Sequence, residues 1–351
     1  MINTEPTILV IRLSAMGDVA LSLPVISEVA KGRRVVIATR SAFAPFFENI
    51  TGLEIFRVET GKRHKGLFGI IKLYFDIKNS YNVSVVVDLH DVIRSRLLSF
   101  LFRLSGKKIS RIKKGRADKR EFIRRRTEVN LPHTTSRYKN AFDRAGVKTG
   151  DISTPAFVIT GKENQDAQRF ISEIIKRPEG LKIAIAPFAR HQTKSWPVEY
   201  ISELIGILGK NIPVHFFLFG GLDEISRLEE IADLSDNITT IAGKFDMRLE
   251  LAVISLMDVM VSMDSSNMHL AALAGIDTVS IWGGTHPATG FGPVGSQRHL
   301  IVGVPLHDLD CRPCTVYGKG DCRRKDVKYK CLKDISPTWV AKRIEEEGML
   351  V

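Results

Sequence analysis

Residues 7–30, TILVIRLSAMGDVALSLPVISEVA, pass from an apolar run through a glycine-containing turn into an amphipathic helical pattern. The apolar run Ile8–Ile11 is rich in β-branched residues, which is typical of a parallel strand covered on both faces. A strand that leads through a short turn into a helix begins a β-α-β unit. We therefore expect the chain to open with the first strand of a parallel sheet.

The same alternation of apolar runs and helical patterns continues along the whole chain. Further strands are predicted at Val35–Thr39, Ile55–Val58, Val83–Leu89, Lys108–Ile112, Ile183–Pro187, Val214–Phe219, Thr239–Ile241, Val259–Met263 and Thr278–Trp282. Helices are predicted at Leu21–Ala30, Ala42–Glu48, Phe68–Asn79, Asp91–Leu104, Asn164–Ile175, Val198–Leu208, Asp223–Leu234, Leu249–Met257 and Asn267–Ala274. A tail helix follows, with Ser336 as its N-cap and Pro337 in its first turn.

This pattern predicts an α/β protein made of two Rossmann-like domains that face each other across a cleft. We expect the domains at residues 1–150 and 151–334, with a C-terminal helix at 335–351. In open parallel sheets of this kind, ligands bind beyond the carboxyl ends of the strands. Polar residues that directly follow a predicted strand are therefore the candidates for chemistry.

Composition and charge exclude several classes of protein. Of the 351 residues, 44% are hydrophobic and 26% charged, which excludes a disordered or collagen-like chain. No stretch has the length and apolar character of a membrane-spanning helix. Since no secretory signal is recognisable, we expect the protein in the reducing cytoplasm.

The net charge of +12 is concentrated in one segment, Arg103–Arg126, which holds twelve basic residues against two acidic ones. Such a segment is either a solvated loop or helix face or a docking surface for an anionic partner. It contains one aromatic residue, Phe122, and therefore lacks the stacking platforms of a single-strand binder. No nucleic-acid-binding motif accompanies it, and we expect no nucleic acid partner.

The four cysteines, Cys311, Cys314, Cys322 and Cys331, lie close together near the C-terminus. Four thiolates can hold a structural zinc ion. The second pair lacks the C-x2-C spacing of the first, which favours reduced thiols over zinc. We predict no metal and no cofactor.

The turn after the first strand carries a carboxylate, Asp18, within Arg12-Leu-Ser-Ala-Met-Gly-Asp18. An aspartate here is either a helix N-cap or a reactive carboxylate at the mouth of the sheet. Pro24 favours a helix that begins well past Asp18, which weakens the N-cap interpretation. The turn is no dinucleotide-binding fingerprint, since G-x-G-x-x-G is absent.

Two loops in the second half have cations or glycines directly after a strand. Arg190 and Lys194 suit a diphosphate, although such charges also occur in loops for solubility. Gly220 and Gly221 allow a ligand to approach the backbone, and Asp223 is suited to ribose hydroxyls. A tight turn before a capped helix is the alternative for the glycine pair.

A third loop, Met263-Asp264-Ser265-Ser266-Asn-Met-His269, also leads from a strand into a helix. Its hydroxyls and helix N-terminus suit an anion. Asp264 would repel a phosphate and is better suited to sugar hydroxyls. His269 is either a site residue or a histidine of the core or cap.

Together these residues resemble the lipopolysaccharide heptosyltransferase family, glycosyltransferase family 9. The matching motifs are Ser14-x-Met16-Gly17-Asp18 with Leu23-Pro24, Lys194-x-Trp196-Pro197, Gly220-Gly221, and Asp264-Ser265-x3-His269-Leu270-Ala271-Ala272. Each follows a predicted strand, and their order spans both halves. The resemblance implies a GT-B fold, an acceptor-binding N-terminal domain, a nucleotide-sugar-binding C-terminal domain, and inverting, metal-independent transfer.

The resemblance also implies roles for individual residues. Asp18 would be the catalytic base. The donor, expected to be ADP-heptose, would be bound by Arg190, Lys194, Gly220, Gly221, Asp223, Asp264, Ser265, Ser266 and His269. An anionic, lipid-linked saccharide of the lipopolysaccharide inner core would be the acceptor, bound by Ser14, Arg111, Arg116, Arg124 and Arg125, with peripheral contact to the cytoplasmic face of the inner membrane.

Two alternatives to this function remain open. A transferase of the same fold could use another nucleotide-sugar, because the motifs do not specify the base or the sugar. A nonenzymatic RNA- or membrane-binding protein could be built around the basic segment, with steeply salt-dependent binding. That second alternative leaves Asp18 and the other motifs at the strand ends unexplained.

Overall fold

The computed structural model describes residues 3–126, 129–175, 180–210, 212–295 and 297–350. The chain forms two compact units, of which the first comprises residues 1–114 and 132–158. The second comprises residues 115–131 and 159–351. Each unit is built on an all-parallel sheet with helices between its strands, which confirms the α/β prediction. The predicted domain limits at 150 and 334 stay predictions.

The elements of the first part of the chain alternate in the predicted order. They are β1 (Asn3–Ile11), α1 (Met16–Ala20), α2 (Leu23–Ala30), β2 (Val35–Arg40), β3 (Leu53–Val58), α3 (Gly66–Ser80), β4 (Tyr81–Asp88), α4 (Ile93–Leu104), β5 (Lys108–Arg111), α5 (Arg116–Arg125) and α6 (Thr134–Ala145). The strands of the first unit pair in the order β3-β2-β1-β4-β5. The order reverses direction between β1 and β4, and ligand sites of open parallel sheets form at such a point.

The elements of the remaining chain build the second unit together with α5. They are α7 (Gly161–Ile174), β6 (Leu181–Ala186), α8 (Val198–Leu208), β7 (Val214–Leu218), α9 (Ile225–Ala232), β8 (Ile238–Thr240), α10 (Met247–Ser255), β9 (Val259–Met263), α11 (Ser266–Ala274), β10 (Asp277–Ile281), β11 (His299–Val302), α12 (Lys330–Lys333) and α13 (Pro337–Glu346). Its strands pair in the order β11-β10-β9-β6-β7-β8. Here the order reverses between β6 and β9.

Burial follows the apolar pattern of the strands. Leu9, Val10 and Ile11 of β1 are inaccessible to solvent, as are Val259 and Met263 of β9. At roughly 25 cal/mol per Å² of apolar surface, these strands and the helices over them supply most of the stabilisation of each unit. The stable sheets hold the loops at their carboxyl ends in place.

The tail helix confirms the predicted cap. The Ser336 side chain accepts a hydrogen bond from the Trp339 backbone nitrogen, and Pro337 opens α13. Trp196, from the K-x-W-P motif, is buried and donates its indole N–H to the Ile335 carbonyl oxygen at 2.9 Å. This tryptophan therefore anchors the tail to the loop that precedes α8.

Several local features of the structure differ from the predictions. The helix predicted at Ala42–Glu48 is a 3-10 helix at Ser41–Phe47, since Pro45 cannot donate to an α-helical ladder. The helix predicted from Leu21 starts at Leu23, after the separate helix α1. Strand β11 (His299–Val302) was not predicted. Helix α5 was not predicted because its sequence is mostly charged, which weakens any apolar periodicity.

None of the helices in the described part of the chain is long and apolar enough to span a membrane.

Candidate active site

A buried arginine joins the ends of the two central strands of the first unit. Arg12 follows β1, and its Nη1 donates to the carbonyl oxygen of Leu89, just after β4, at 2.6 Å. Its Nη2 lies 2.5 Å from Oδ2 of Asp18. Since only 4% of the Arg12 side chain is exposed, this guanidinium fixes the orientation of the Asp18 carboxylate.

Asp18 lies inside the first turn of α1, whose N-cap position is occupied by Ala15. The N-cap interpretation of Asp18 is therefore wrong. About a third of its side chain, 32%, is exposed, so a substrate can reach the carboxylate. The buried Tyr138 hydroxyl donates to the Asp18 carbonyl oxygen at 3.0 Å, and burial raises the pKa of that hydroxyl, which keeps it a donor.

The loop after β4 adds residues that the sequence analysis missed. The Nε2 atom of His90 lies 3.3 Å from the Ser14 hydroxyl. Burial, assisted by the charges of Arg12 and Lys114, lowers the pKa of His90 to about 3, so the imidazole is neutral near pH 7. The sequence signal was present, because His90 directly follows the strand predicted at Val83–Leu89.

Asp88 organises this loop from a fully buried position. Its Oδ1 accepts hydrogen bonds from the backbone nitrogens of His90 and Asp91, both at 2.9 Å, and its Oδ2 accepts one from the Ser95 hydroxyl at 3.0 Å. Burial nevertheless raises the pKa of the Asp88 carboxyl, against the effect of these donors. Asp88 thus holds the backbone that positions His90 beside Ser14.

The five predicted acceptor-binding residues are divided between the two units. Ser14 and Arg111 belong to the first unit, and the Arg111 Nε lies 3.5 Å from Oδ2 of Asp88. Arg116, Arg124 and Arg125 lie on α5, which belongs to the second unit. The basic segment Arg103–Arg126 is divided among three elements, because it begins at the end of α4, includes β5 and ends after α5.

The two C-terminal arginines of α5 share one acidic partner. Arg124 Nη2 lies 2.7 Å from Oε1 of Glu121, and the same oxygen pairs with Arg125 Nε. The hydrogen bond from Arg124 is the main cause that lowers the pKa of Glu121. Both arginines remain well exposed, which leaves them accessible to an anion.

In the second unit, the loops after β6 and β9 meet through an ion pair. Lys194 Nζ lies 2.9 Å from Oδ2 of Asp264, and Thr285 donates its hydroxyl hydrogen to the same oxygen at 2.7 Å. Both charged side chains are largely buried, at 16% and 8% exposure. Asp264 therefore positions Lys194 at the point where the strand order reverses.

Positive charge accumulates around this ion pair. The pKa of His191 is lowered, first by burial and then by the charges of Lys194, Arg190 and Lys319. Arg190 and Lys319 are exposed. Lys319 was missed by the sequence analysis, because it lies far along the chain in a segment without regular structure. The combined charge favours an anionic ligand beside His191.

Helix α11 directs its N-terminus toward the end of β9. Ser265 occupies the N-cap position, but its side chain makes no capping hydrogen bond to the helix. Its hydroxyl lies 3.2 Å from that of Ser262. Ser266 is the first helical residue, and His269, one turn further, is buried. The first backbone N–H groups of α11 therefore contribute partial positive charge at this loop.

The glycine pair has a local structural role. The Gly221 backbone nitrogen donates to Oε2 of Glu224 at 2.8 Å. A Cβ at Gly220 would lie 2.8 Å from Oε2 of Glu224, and one at Gly221 would lie 2.6 Å from Oδ1 of Asp223. These atoms are the ends of flexible side chains, so the available space does not by itself require glycine at either position. Gly221 directly precedes the 3-10 helix Leu222–Glu224, which agrees with the alternative of a turn before a capped helix. Asp223 is exposed, and its predicted contact with ribose stays a prediction.

All four cysteines line one cavity of about 330 Å³ in the second unit. They are free thiols, and burial raises the pKa of Cys331 to about 12. Within the ranges of the chain that the structure describes, no three His, Cys, Asp or Glu side chains are arranged to hold a metal ion.

Comparison with known proteins connects this site to one enzyme family. The family model of glycosyltransferase family 9 (heptosyltransferase) matches residues 76–319. The lipopolysaccharide core heptosyltransferase OpsX of Haemophilus influenzae is 24% identical over 287 residues, which cover 79% of each chain.

Two solved structures share the fold over nearly the whole chain. A family 9 glycosyltransferase from Veillonella parvula superposes with a TM-score of 0.75 at 20% identity, covering 99% of this chain and 98% of the other. The ADP-heptose lipopolysaccharide heptosyltransferase II of E. coli gives 0.68 at 19% identity, covering 97% and 98%. The prediction of a GT-B fold is confirmed.

The family model covers more than half of the chain, including the loops after β6, β7 and β9. The protein is therefore a glycosyltransferase. The alternative of a nonenzymatic RNA- or membrane-binding protein is wrong. The chain belongs to glycosyltransferase family 9, the heptosyltransferase family.

Proposed function

We propose that this enzyme transfers heptose from ADP-heptose to a saccharide acceptor of the lipopolysaccharide inner core, with inversion and without a metal ion. The observation that supports the donor half is the group of cations after β6, where Lys194 pairs with Asp264 at 2.9 Å and exposed Arg190 and Lys319 are nearby. Burial first, and then the charges of these three residues, lower the pKa of His191. A nucleoside diphosphate carries the complementary charge. The names of the relatives, a lipopolysaccharide core heptosyltransferase and an ADP-heptose heptosyltransferase, support the sugar and the acceptor class.

In the proposed donor site, Lys194 and Arg190 hold the diphosphate together with the N-terminus of α11. Ser265 and Ser266 donate hydroxyl hydrogens to the phosphates, and His269 lines the same loop. Asp264 already accepts from Lys194 and Thr285, and it binds a sugar hydroxyl. Protein cations meet the charge that develops on the leaving diphosphate, which is the role a metal ion would otherwise have.

The glycine turn completes the proposed donor site. Gly220 and Gly221 bring the backbone close to the nucleoside, and the exposed Asp223 accepts hydrogen bonds from the ribose hydroxyls.

In the proposed reaction, the Asp18 carboxylate removes the proton from the acceptor hydroxyl. That oxygen attacks the anomeric carbon as the bond from this carbon to the diphosphate oxygen breaks, and a single displacement inverts the configuration. Arg12 keeps the carboxylate in position through the 2.5 Å ion pair. Neutral His90 beside Ser14 offers a further polar contact for the acceptor.

The proposed acceptor is anionic and linked to a lipid. Ser14 and Arg111 of the first unit and Arg116, Arg124 and Arg125 of α5 are its proposed partners. We place the enzyme in the cytoplasm, in peripheral contact with the inner membrane, because its four cysteines are free thiols as expected in a reducing compartment.

The proposed function is tested by donor competition with the purified enzyme. ADP-heptose, ADP-glucose, GDP-mannose and UDP-glucose are offered with an inner-core acceptor that lacks heptose, and product is detected by mass spectrometry. We expect turnover with ADP-heptose, an inverted anomeric configuration by NMR, and no loss of activity with EDTA. Preference for a UDP- or GDP-sugar would instead support a transferase of the same fold with another donor.

A further inference from the structure

Two neighbouring helices of the first unit, α3 and α4, each have an apolar face buried on the sheet. These faces join one core cluster with residues of β1, β2 and β4. The buried side chains are Ile70, Leu73, Tyr74 and Ile77 of α3 and Leu98 and Phe102 of α4. A surface helix of this kind usually presents polar residues on its opposite face.

The opposite faces of α3 and α4 are apolar as well. The exposed side chains are Leu67, Phe68, Ile71 and Phe75 of α3 and Ile93, Leu97, Phe100 and Leu104 of α4. On α4 they recur at intervals of four, three and four residues, which places them along one side of the helix. Exposure reaches 86% at Phe68 and 79% at Ile93.

The two exposed stripes form one patch, called here the outer apolar face. Both helices cover the same side of the sheet, so their solvent-facing sides point the same way. The rings of Tyr74 and Phe102 pack edge to face at 4.9 Å between the helices. Arg94 near the start of α4 donates to the His64 carbonyl oxygen, just before α3, at 2.9 Å.

The outer apolar face differs from ordinary protein surface because exposed large hydrophobic side chains are concentrated there. Fifteen large hydrophobic side chains are exposed among the described residues, and eight of them are on α3 and α4. Isolated exposed apolar residues are normal, whereas a contiguous patch indicates an interaction surface.

The charges around the outer apolar face are mostly positive. Residues 62–107 contain nine basic and three acidic residues. Asp88 is buried, Asp76 pairs with Arg63 at 2.6 Å, and Asp91 pairs with Arg96 at 2.7 Å. The exposed cations Lys65, Lys72, Lys78 and Arg103 therefore dominate the surroundings of the patch.

We propose that the outer apolar face binds the surface of an anionic lipid bilayer. Its phenylalanine and leucine side chains enter the interfacial region, and the surrounding lysines and arginines contact lipid phosphates. A second copy of the chain fits less well, because a two-fold contact would bring equal basic rims together. The inference rests on the proposed function for its purpose, which is to bring the enzyme to a lipid-linked acceptor.

The test is flotation of the purified full-length protein with vesicles, without donor or acceptor. Vesicles of phosphatidylcholine alone are compared with vesicles of equal parts phosphatidylcholine and phosphatidylglycerol. The triple variant Phe68→Ser, Phe100→Ser, Leu104→Ser reduces the apolar face. The matched control, Leu234→Ser, Ile301→Ser, Val327→Ser, changes exposed apolar residues of the second unit. A third variant, Lys65→Gln, Lys72→Gln, Arg103→Gln, reduces the charge.

We expect wild type and the control to float with the anionic vesicles. The apolar variant should bind at least about tenfold more weakly at any salt concentration, since three exposed apolar side chains that enter the bilayer are lost. The charge variant should lose binding mainly at low salt. Equal binding of the apolar variant and wild type would overturn the proposal. So would a wild-type dimer that the apolar variant converts to a monomer without any vesicle binding.

Activity with a water-soluble, delipidated acceptor separates this proposal from the proposed function. The apolar variant should retain wild-type turnover there, because none of its changes touches the donor site or Asp18. If wild type binds vesicles but does not transfer heptose, the docking surface stands and the proposed function fails.

Discussion

At the scale of single residues, a substitution of Asp18 distinguishes two roles for this partner of Arg12. Asp18 is either the proposed catalytic base or a carboxylate with a structural role only. Asp18→Asn retains the size of the side chain and removes the proton acceptor. We expect turnover to fall by about 10²–10⁴, the usual contribution of a general base. Calorimetry with ADP should give wild-type affinity, because the donor site belongs to the other unit.

Asp151→Asn is the control for this change, since Asp151 is a fully exposed carboxylate in the same unit. It should leave turnover unaltered. Wild-type turnover in Asp18→Asn would remove Asp18 from the reaction and leave it as the ion-pair partner of Arg12.

Lys194 allows a second prediction at this scale. Lys194→Ala removes a cation from the diphosphate site and leaves the buried Asp264 with its hydrogen bond from Thr285. We expect the Kd for ADP to rise about 10- to 100-fold, the range for losing one charge-assisted hydrogen bond. The melting temperature should also fall, because a buried carboxylate loses its counter-charge.

Lys194→Arg is the matched variant, since it retains the charge and should recover most of the affinity for ADP. EDTA should change neither Kd. If ADP binds to Lys194→Ala as tightly as to wild type, the diphosphate lies elsewhere.

At the scale of elements, substitutions on α5 should either weaken or strengthen its binding of an anionic acceptor. Arg124 and Arg125 both pair with Glu121, which competes with any anionic acceptor for them. The double change Arg124→Gln, Arg125→Gln should raise the acceptor KM, and Glu121→Gln should lower it. Steady-state kinetics at low and high salt measure both, and the effects should shrink at high salt.

A higher acceptor KM in the double arginine variant together with a lower one in Glu121→Gln would be specific to acceptor binding by α5. A solvated helix face would give two variants with unaltered acceptor KM at low salt, where electrostatic effects are strongest. That result would exclude α5 from the acceptor site.

Helix α10 carries a carboxyl that titrates near neutral pH. Burial raises the pKa of Glu250 to about 7, above its value in the unfolded chain. The folded protein therefore binds the proton more tightly, so this group stabilises the fold at low pH and loses that contribution as the pH rises through about 7.

Glu250→Gln should accordingly unfold at a higher temperature than wild type at pH 8 and at nearly the same temperature at pH 5. The gain at pH 8 should be roughly 1–3 kcal/mol, given the size of the shift. Thermal melts at the two pH values measure it. A constant difference between the variants across this range would show that Glu250 does not titrate as described.

At the scale of the whole molecule, the donor site and the proposed base belong to different units. ADP alone should therefore slow amide hydrogen exchange in the loops after β6 and β9, at residues 187–196 and 264–269. Hydrogen exchange with mass spectrometry, with and without ADP, measures this by peptide. Protection of the β1–α1 turn without protection of these loops would contradict the assignment of the donor to the second unit.

Much of the site could be predicted because its residues directly follow strands. Continuous apolar runs such as Ile8–Ile11 and Val259–Met263 are local signals of buried parallel strands. Asp18, Lys194 and Asp264 stand just beyond such runs, and parallel strands place their carboxyl ends at one edge of the sheet. Local sequence patterns are therefore enough to predict the fold class, the order of most elements and the loops that carry chemistry.

The partners of these residues depended on strand order, which is a tertiary property. Lys194 pairs with Asp264 because β6 and β9 are neighbours in the sheet, and Ser14 approaches His90 because β1 and β4 are neighbours. Helical periodicity predicts α3 and α4 from the sequence. It does not predict that only one of the two apolar faces of each helix is buried. Only the packing of these helices on the sheet decided which face was covered and which remained exposed, because burial is set by contacts between segments far apart in the chain.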